Sequence, residues 1–204
     1  MRKILVTGAA GQIGSELVPA LRERYGSGNV IAAGHRTPMP DDMRDAGPAI
    51  TIDVTDGESV QRSLRDHDVG TVYHMSSVLS AFAESNRQRA HAVNIDGLYN
   101  VLEAAVDNDL DQLILPSSIA AFGPDTPQDE TPNETLQRPA TLYGISKVFG
   151  ELMGNYYVDK LGLDVRGLRL PGIISWKTEP TAGTTDYAVA IFYGAIREGR
   201  YTCY

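Results

Sequence analysis

The stretch TLYGISKVFGE, residues 141–151, places Tyr143 and Lys147 four apart in sequence that reads as the start of a helix. At that spacing the two side chains lie on one helix face. A phenol with an ordinary pKa of about 10 is a poor base at neutral pH, and an ammonium group beside it favours the phenolate. The pair is therefore either a proton-transfer device or one turn of a surface helix with a solvated lysine. Ser117 and Ser118 close an apolar run 25 residues upstream, counted from Ser118 to Tyr143 (143 − 118). A hydroxyl there either belongs to a turn or meets the tyrosine at one end of a sheet. The four histidines (35, 67, 74 and 91) are scattered, and Cys203 has no cysteine or clustered histidine nearby, so no metal is expected.

The elements that must position these groups follow from hydrophobic patterning. Short apolar, β-rich runs recur at 3–7, 29–33, 49–53, 71–75, 112–116 and 163–170. Helical patterns lie between most of them, over about 12–25, 56–66, 91–108, 141–161 and 186–198, with Pro19 expected to kink the first. This alternation predicts an α/β fold with a doubly wound parallel sheet buried on both faces. Five prolines between residues 116 and 139 predict a long loop after the fifth strand, at the sheet end where such folds do chemistry.

Gly8, Gly11 and Gly14 form a G-x-x-G-x-x-G turn between the first strand and the first helix, with Gln12 and Ile13 inside it. Glycine lets the backbone approach a pyrophosphate closely, and the helix N-terminus stabilises the phosphate charge. The site expected is a Rossmann dinucleotide site. A carboxylate at the end of the second strand ordinarily binds the adenosine ribose, but Gly34 stands there, followed by His35 and Arg36. These two could face a 2′-phosphate, which leaves NADP open, or Arg36 could stack on adenine or be solvated. Asp53, beside Val54 after the third strand, is placed for the adenine amino group or for capping a turn.

At 204 residues the chain accommodates one sizeable domain, read as spanning 1–204. Asp and Glu outnumber Lys and Arg 26 to 18, and no basic block offsets the net charge of −8, which argues against nucleic acid as a partner. No apolar run reaches the roughly 18 residues that span a bilayer, so no membrane partner is expected. MRKILVTGAAG reads as a buried strand and its turn instead of a secretory leader, because Thr7 and Gly8 interrupt its apolar run. One cysteine permits no internal disulfide, and a reducing, cytoplasmic location is expected.

The glycine turn, the upstream serine and the Tyr-x-x-x-Lys pair together resemble the extended short-chain dehydrogenase/reductase family. The resemblance implies a Rossmann fold with Tyr143 as general base in oxidation and acid in reduction. It further implies that Lys147 binds the nicotinamide ribose and that Ser118 holds the substrate oxygen. By the same matching, Ser117, Asn94 and Val54 lie along the cofactor, with Asn94 supporting a water or backbone network. The matching further implies that Pro171, Gly172 and Ile173 flank the nicotinamide.

The stretches at 11–26, 138–152 and 168–203, above all GTTDYAV at 183–189, are similar to short-chain-type L-threonine 3-dehydrogenases. That similarity implies NAD-dependent oxidation of an amino-acid substrate, L-threonine, and a homodimer paired through the helices at 91–108 and 141–161. It places a substrate loop within about 171–186 and adds Ser80 as a polar substrate contact, although a serine there also suits a helix cap. Thr184 and Thr185 would receive the α-carboxylate at a helix N-terminus, where free N–H groups point outward. Asp186 would either bind the ammonium or serve as an ordinary helix-start carboxylate. Relatives continue beyond residue 204, which implies a reduced or truncated C-terminal substrate lobe. A sugar-nucleotide epimerase or dehydratase, and a non-enzymatic dinucleotide-binding regulator, share enough of these features to compete.

Overall fold

Alternation along the first strand sets the architecture. In the computed structural model, which describes residues 2–179 and 185–203, β1 (Lys3–Thr7) buries Ile4 and Val6 on one face and Leu5 on the other. Ile4 and Val6 pack with Val18 and Leu21 of α1 (Gly14–Tyr25), whereas Leu5 joins a larger cluster. That cluster includes Val60 and Leu64 of α3 (Gly57–Asp66), Val101 and Leu102 of α6 (Gly97–Asp107), and Tyr157 of α7 (Leu142–Leu161). Burial on both faces explains why β1 is apolar from Ile4 to Val6.

The other strands are β2 (Val30–Gly34), β3 (Ala49–Thr51), β4 (Val69–His74), β5 (Gln112–Ser118) and β6 (Val165–Leu170). All pairings are parallel and the order is β3-β2-β1-β4-β5-β6, the doubly wound Rossmann arrangement expected. The chain leaves β1 toward β2 and returns on the other side at β4. A crevice therefore opens beyond the carboxyl ends of β1 and β4.

Several boundaries differ from expectation for identifiable reasons. β5 runs through Pro116 to Ser118 although proline donates no ladder bond. Its pairing with β4 stops at Ile114, while its pairing with β6 continues to Ser118, so one side of the strand no longer needs donors. The helix expected over 91–108 is broken into α5 (Arg87–His91), a π-helical turn over Ala92–Asp96, and α6. Helix α1 contains Pro19 and agrees with the expected helix to within two residues. Two short helices, α2 (Asp41–Asp45) and α4 (Ser80–Ser85), lacked a readable period in the sequence. The last helix, α8, spans Tyr187–Glu198. Among the described residues no helix is long and apolar enough to cross a membrane.

Helix α7 is defined at both ends. The Thr141 hydroxyl accepts the Gly144 amide hydrogen at 3.0 Å, and Gly162 closes the helix in the left-handed conformation at φ 72°. Thr141→Ala removes the N-cap and should lower stability by about 1 kcal/mol, read as a shift in the urea midpoint at unchanged slope.

Candidate active site

The nucleotide-binding end is built on backbone proximity. Gly8 sits at φ 63°, and a Cβ added there would lie 2.8 Å from the Met75 carbonyl carbon. A Cβ at Gly14 would lie 2.4 Å from the Gly8 oxygen, and the Gly11 amide donates to that same oxygen at 2.9 Å. The turn is compact because no side chain intrudes, leaving a cradle that fits a pyrophosphate at the mouth of α1. A pocket of about 230 Å³ adjoins it, lined by Gly8, Gly11, Arg36, Asp53, Val54 and Arg89 among others.

Asp53 also makes a turn. Its Oδ1 accepts from the Thr55 amide at 3.0 Å and the Thr55 hydroxyl at 2.8 Å, while Oδ2 faces His35 Nε2 at 3.4 Å. Burial would raise its carboxyl, but the two Thr55 bonds and the Arg89 charge hold it below the usual range. Gln12, inside the glycine turn, points its amide at the Ile173 carbonyl, 3.1 Å away. Ser175 and Lys177 both reach Glu16, so the segment after β6 is strapped to the start of α1.

The catalytic candidates converge where β5 ends and α7 begins. Lys147 Nζ lies 5.2 Å from the centroid of the Tyr143 ring and donates to the Pro116 carbonyl at 2.9 Å. Ser118 caps the short turn that follows it, accepting from the Ala120 amide at 3.1 Å, and its hydroxyl lies close enough to the Tyr143 phenol to favour the phenolate. The turn reading of Ser118 is met by its bond from the Ala120 amide. The expectation of a phenol lowered by its ammonium neighbour is not met. Burial raises Tyr143 above its ordinary value, and the nearby Ser118 hydroxyl acts against it. Lys147 directs its charge to a carbonyl instead, and burial lowers its own pKa to about 8.

That burial has a pH consequence. The unfolded lysine titrates near 10.5, so between pH 8 and 10.5 the unfolded chain binds more protons. Stability from this group is fully present above 10.5 and is lost as pH falls through 8. In urea unfolding, the stability of the parent minus that of Lys147→Met should rise above pH 8, by up to about 1.4 kcal/mol per pH unit. A pH-independent difference would contradict this.

Asn94 sits in the π-helical turn with its side chain fully engaged. Oδ1 accepts from the Val78 amide at 2.7 Å, and Nδ2 donates to the Val78 carbonyl at 2.9 Å and to Ser146 at 3.3 Å. Ser146 in turn donates to the Tyr143 carbonyl at 2.7 Å. Asn94 thus joins the π-helical turn to the Val78 backbone and, through Ser146, to the backbone at Tyr143.

Sequence reasoning missed Glu151. It lies four residues beyond Lys147 and accepts from Ser117, from Gln137 at 2.8 Å, and from Arg169 Nε and Nη2 at 2.9 and 2.7 Å. Arg169 also donates to the Asn133 carbonyl at 2.5 Å and stacks over Phe122. The i, i+4, i+8 spacing of Tyr143, Lys147 and Glu151 was the available signal. A cavity of about 570 Å³ connects these groups, lined by His74, Asn94, Ser117, Lys147, Glu151 and Arg169 among others. Ser76 and Ser77 line both this cavity and the nucleotide pocket, so the two adjoin. Tyr143 and Ser118 are not among the cavity's lining residues.

The substrate candidates are only partly gathered. Ser80 is the first residue of α4, where the N-cap position belongs to Leu79, and its hydroxyl has no hydrogen-bond partner among the described residues. Thr185 points its hydroxyl toward the Ile173 carbonyl at 3.4 Å, and Asp186 stands at the N-cap of α8. Pro171 follows β6 directly and is exposed. Thr184 lies outside the described residues.

Residues 4–200 match the model of the NAD dependent epimerase/dehydratase family. An uncharacterized epimerase/dehydratase of Staphylococcus haemolyticus is 47% identical over all 204 residues, which cover 64% of that relative. The structure of L-threonine dehydrogenase from Clostridium difficile superposes with a TM-score of 0.94 at 48% identity, over 100% of this chain and 64% of that one. A monomeric L-threonine 3-dehydrogenase from a metagenome gives 0.91 at 44% identity, over 98% and 63%. The chain thus spans a little under two thirds of the length of these relatives.

Proposed function

Because the chain belongs to the NAD-dependent epimerase/dehydratase family, we propose that it oxidises L-threonine to L-2-amino-3-ketobutyrate with NAD. The observation that carries this reading is the meeting of Ser118, Tyr143 and Lys147 at the carboxyl end of β5, beside the glycine cradle. Ser118 holds the substrate hydroxyl while the Tyr143 oxygen takes its proton as the carbon–oxygen double bond forms. Bound nicotinamide supplies the hydride acceptor. Gly8, Gly11 and Gly14 hold the pyrophosphate, and Lys147 holds the adjoining ribose. Gln12, Ile13, Val54 and Pro171 shape the remaining walls of the cofactor site. Asn94 fixes the backbone around Tyr143 through Ser146.

At the substrate end, the N-terminus of α8 with Thr184 and Thr185 receives the α-carboxylate. Asp186 faces the ammonium, and Ser80, half-buried without a partner among the described residues, offers a second hydroxyl. The loop within about 171–186 carries most of this recognition. Pairing of two copies is also part of the proposal. Ile145, Leu152 and Tyr156 form an exposed apolar stripe on α7, at a spacing that keeps them on one face, and light scattering reads the outcome. A single-chain mass would sink the pairing alone.

The test mixes the protein with NAD and a panel of β-hydroxy amino acids and follows reduced nicotinamide. L-Threonine should give the fastest rise. Turnover of a UDP-sugar with no response to threonine would favour the epimerase reading of the same family.

A further inference from the structure

The adenosine end of the nucleotide pocket carries an unusual charge pattern. We propose that this pocket admits a 2′-phosphate, so that the chain binds NADP with an affinity comparable to that for NAD. The inference rests on the nucleotide reading of the glycine cradle but not on threonine as substrate.

Discrimination against NADP in this fold depends on a carboxylate at the end of the second strand. It accepts from the ribose hydroxyls and repels a phosphate in their place. Here the last residue of β2 is Gly34, paired with Thr51 of β3, and it brings no charge. The repulsive element is absent from its position.

What stands nearby is cationic. Arg36 and Arg89 line the pocket against one carboxylate, Asp53. That carboxylate is engaged on both oxygens, by Thr55 on Oδ1 and by His35 across 3.4 Å on Oδ2. Arg36 is exposed and makes no ion pair or hydrogen bond with any described residue, so its planar fork of donors is available. A guanidinium matches the geometry of a phosphate monoester with two parallel bonds, which a ribose hydroxyl cannot reproduce. Thr37, also exposed and lining the pocket, adds a hydroxyl beside it.

Isothermal titration of the purified chain with NAD and with NADP, without substrate, tests this directly. The two dissociation constants should agree within about tenfold. Arg36→Ala should weaken NADP by about tenfold or more and NAD by less than about twofold, since one charge-assisted contact is lost only for the phosphate. Gly34→Asp should weaken NADP by about a hundredfold and leave NAD unchanged or tighter. The added Cβ meets the flexible end of Met39 at 3.2 Å and the Thr37 carbonyl oxygen at an ordinary 3.8 Å, so this variant should fold, and circular dichroism checks that it does.

NADP binding a hundredfold or more weaker than NAD in the parent would overturn the proposal. Equal weakening of both nucleotides in Arg36→Ala would overturn it too, by assigning the guanidinium to adenine stacking. Binding of neither nucleotide would sink the underlying nucleotide reading along with it, an outcome distinct from the first two.

Discussion

Tyr143→Phe should reduce threonine-dependent turnover by about 10²–10⁴-fold while leaving the affinity for nicotinamide nucleotide within about twofold. The substitution deletes one oxygen and keeps the ring against which Lys147 rests. Steady-state rates and a binding titration on the same preparation check both halves. Loss of binding alongside activity would mean that the phenol organises the pocket instead of moving a proton. Burial raises the Tyr143 phenol, so the parent's kcat/KM should climb with pH above neutrality, as the base form becomes more populated. A pH-independent profile in the parent would argue that another group takes the proton.

Glu151→Ala should lower stability by about 2 kcal/mol, between the values for exposed and buried ion pairs, because the Arg169 and Glu151 side chains remain 24% and 20% exposed. Turnover should fall by about tenfold or more as well. Glu151 ties together α7, the end of β5 through Ser117, the end of β6 through Arg169, and the 119–141 loop through Gln137. Ser117 and Arg169 lie within two residues of Ser118 and Pro171, and Glu151 itself is on the helix that carries Tyr143 and Lys147. Glu151→Gln keeps the shape and half the acceptors and should recover much of the turnover. A variant that is destabilised yet turns over normally at low temperature would assign Glu151 to stability alone.

Much of this molecule was legible before any coordinates. The alternation of apolar strands and helical patterns predicts a doubly wound sheet, and the six strands and their order agree with it. Strand burial is a local, period-two property, so it can be read residue by residue. The glycine turn was legible for the same reason, since backbone crowding at Gly8 and Gly14 leaves glycine as the residue that fits. The two short helices were not legible, because α2 and α4 are too short to show a period. Nor was the π-helical turn at Asn94, whose extra residue is stabilised by a side chain reaching Val78, sixteen residues away.

By itself the sequence determined the sheet, the glycine turn and the Tyr143–Lys147 pair, since each depends on residue type and near-neighbour spacing, while Ser118 joined them by resemblance to a family. Only the tertiary structure decided the electrostatics of that set. Lys147 turns to the Pro116 carbonyl, burial and not the ammonium governs the phenol, and Glu151 joins partners from β5, β6 and the loop between β5 and α7. Those outcomes depend on desolvation and on contacts between residues far apart in the chain, which residue spacing does not encode.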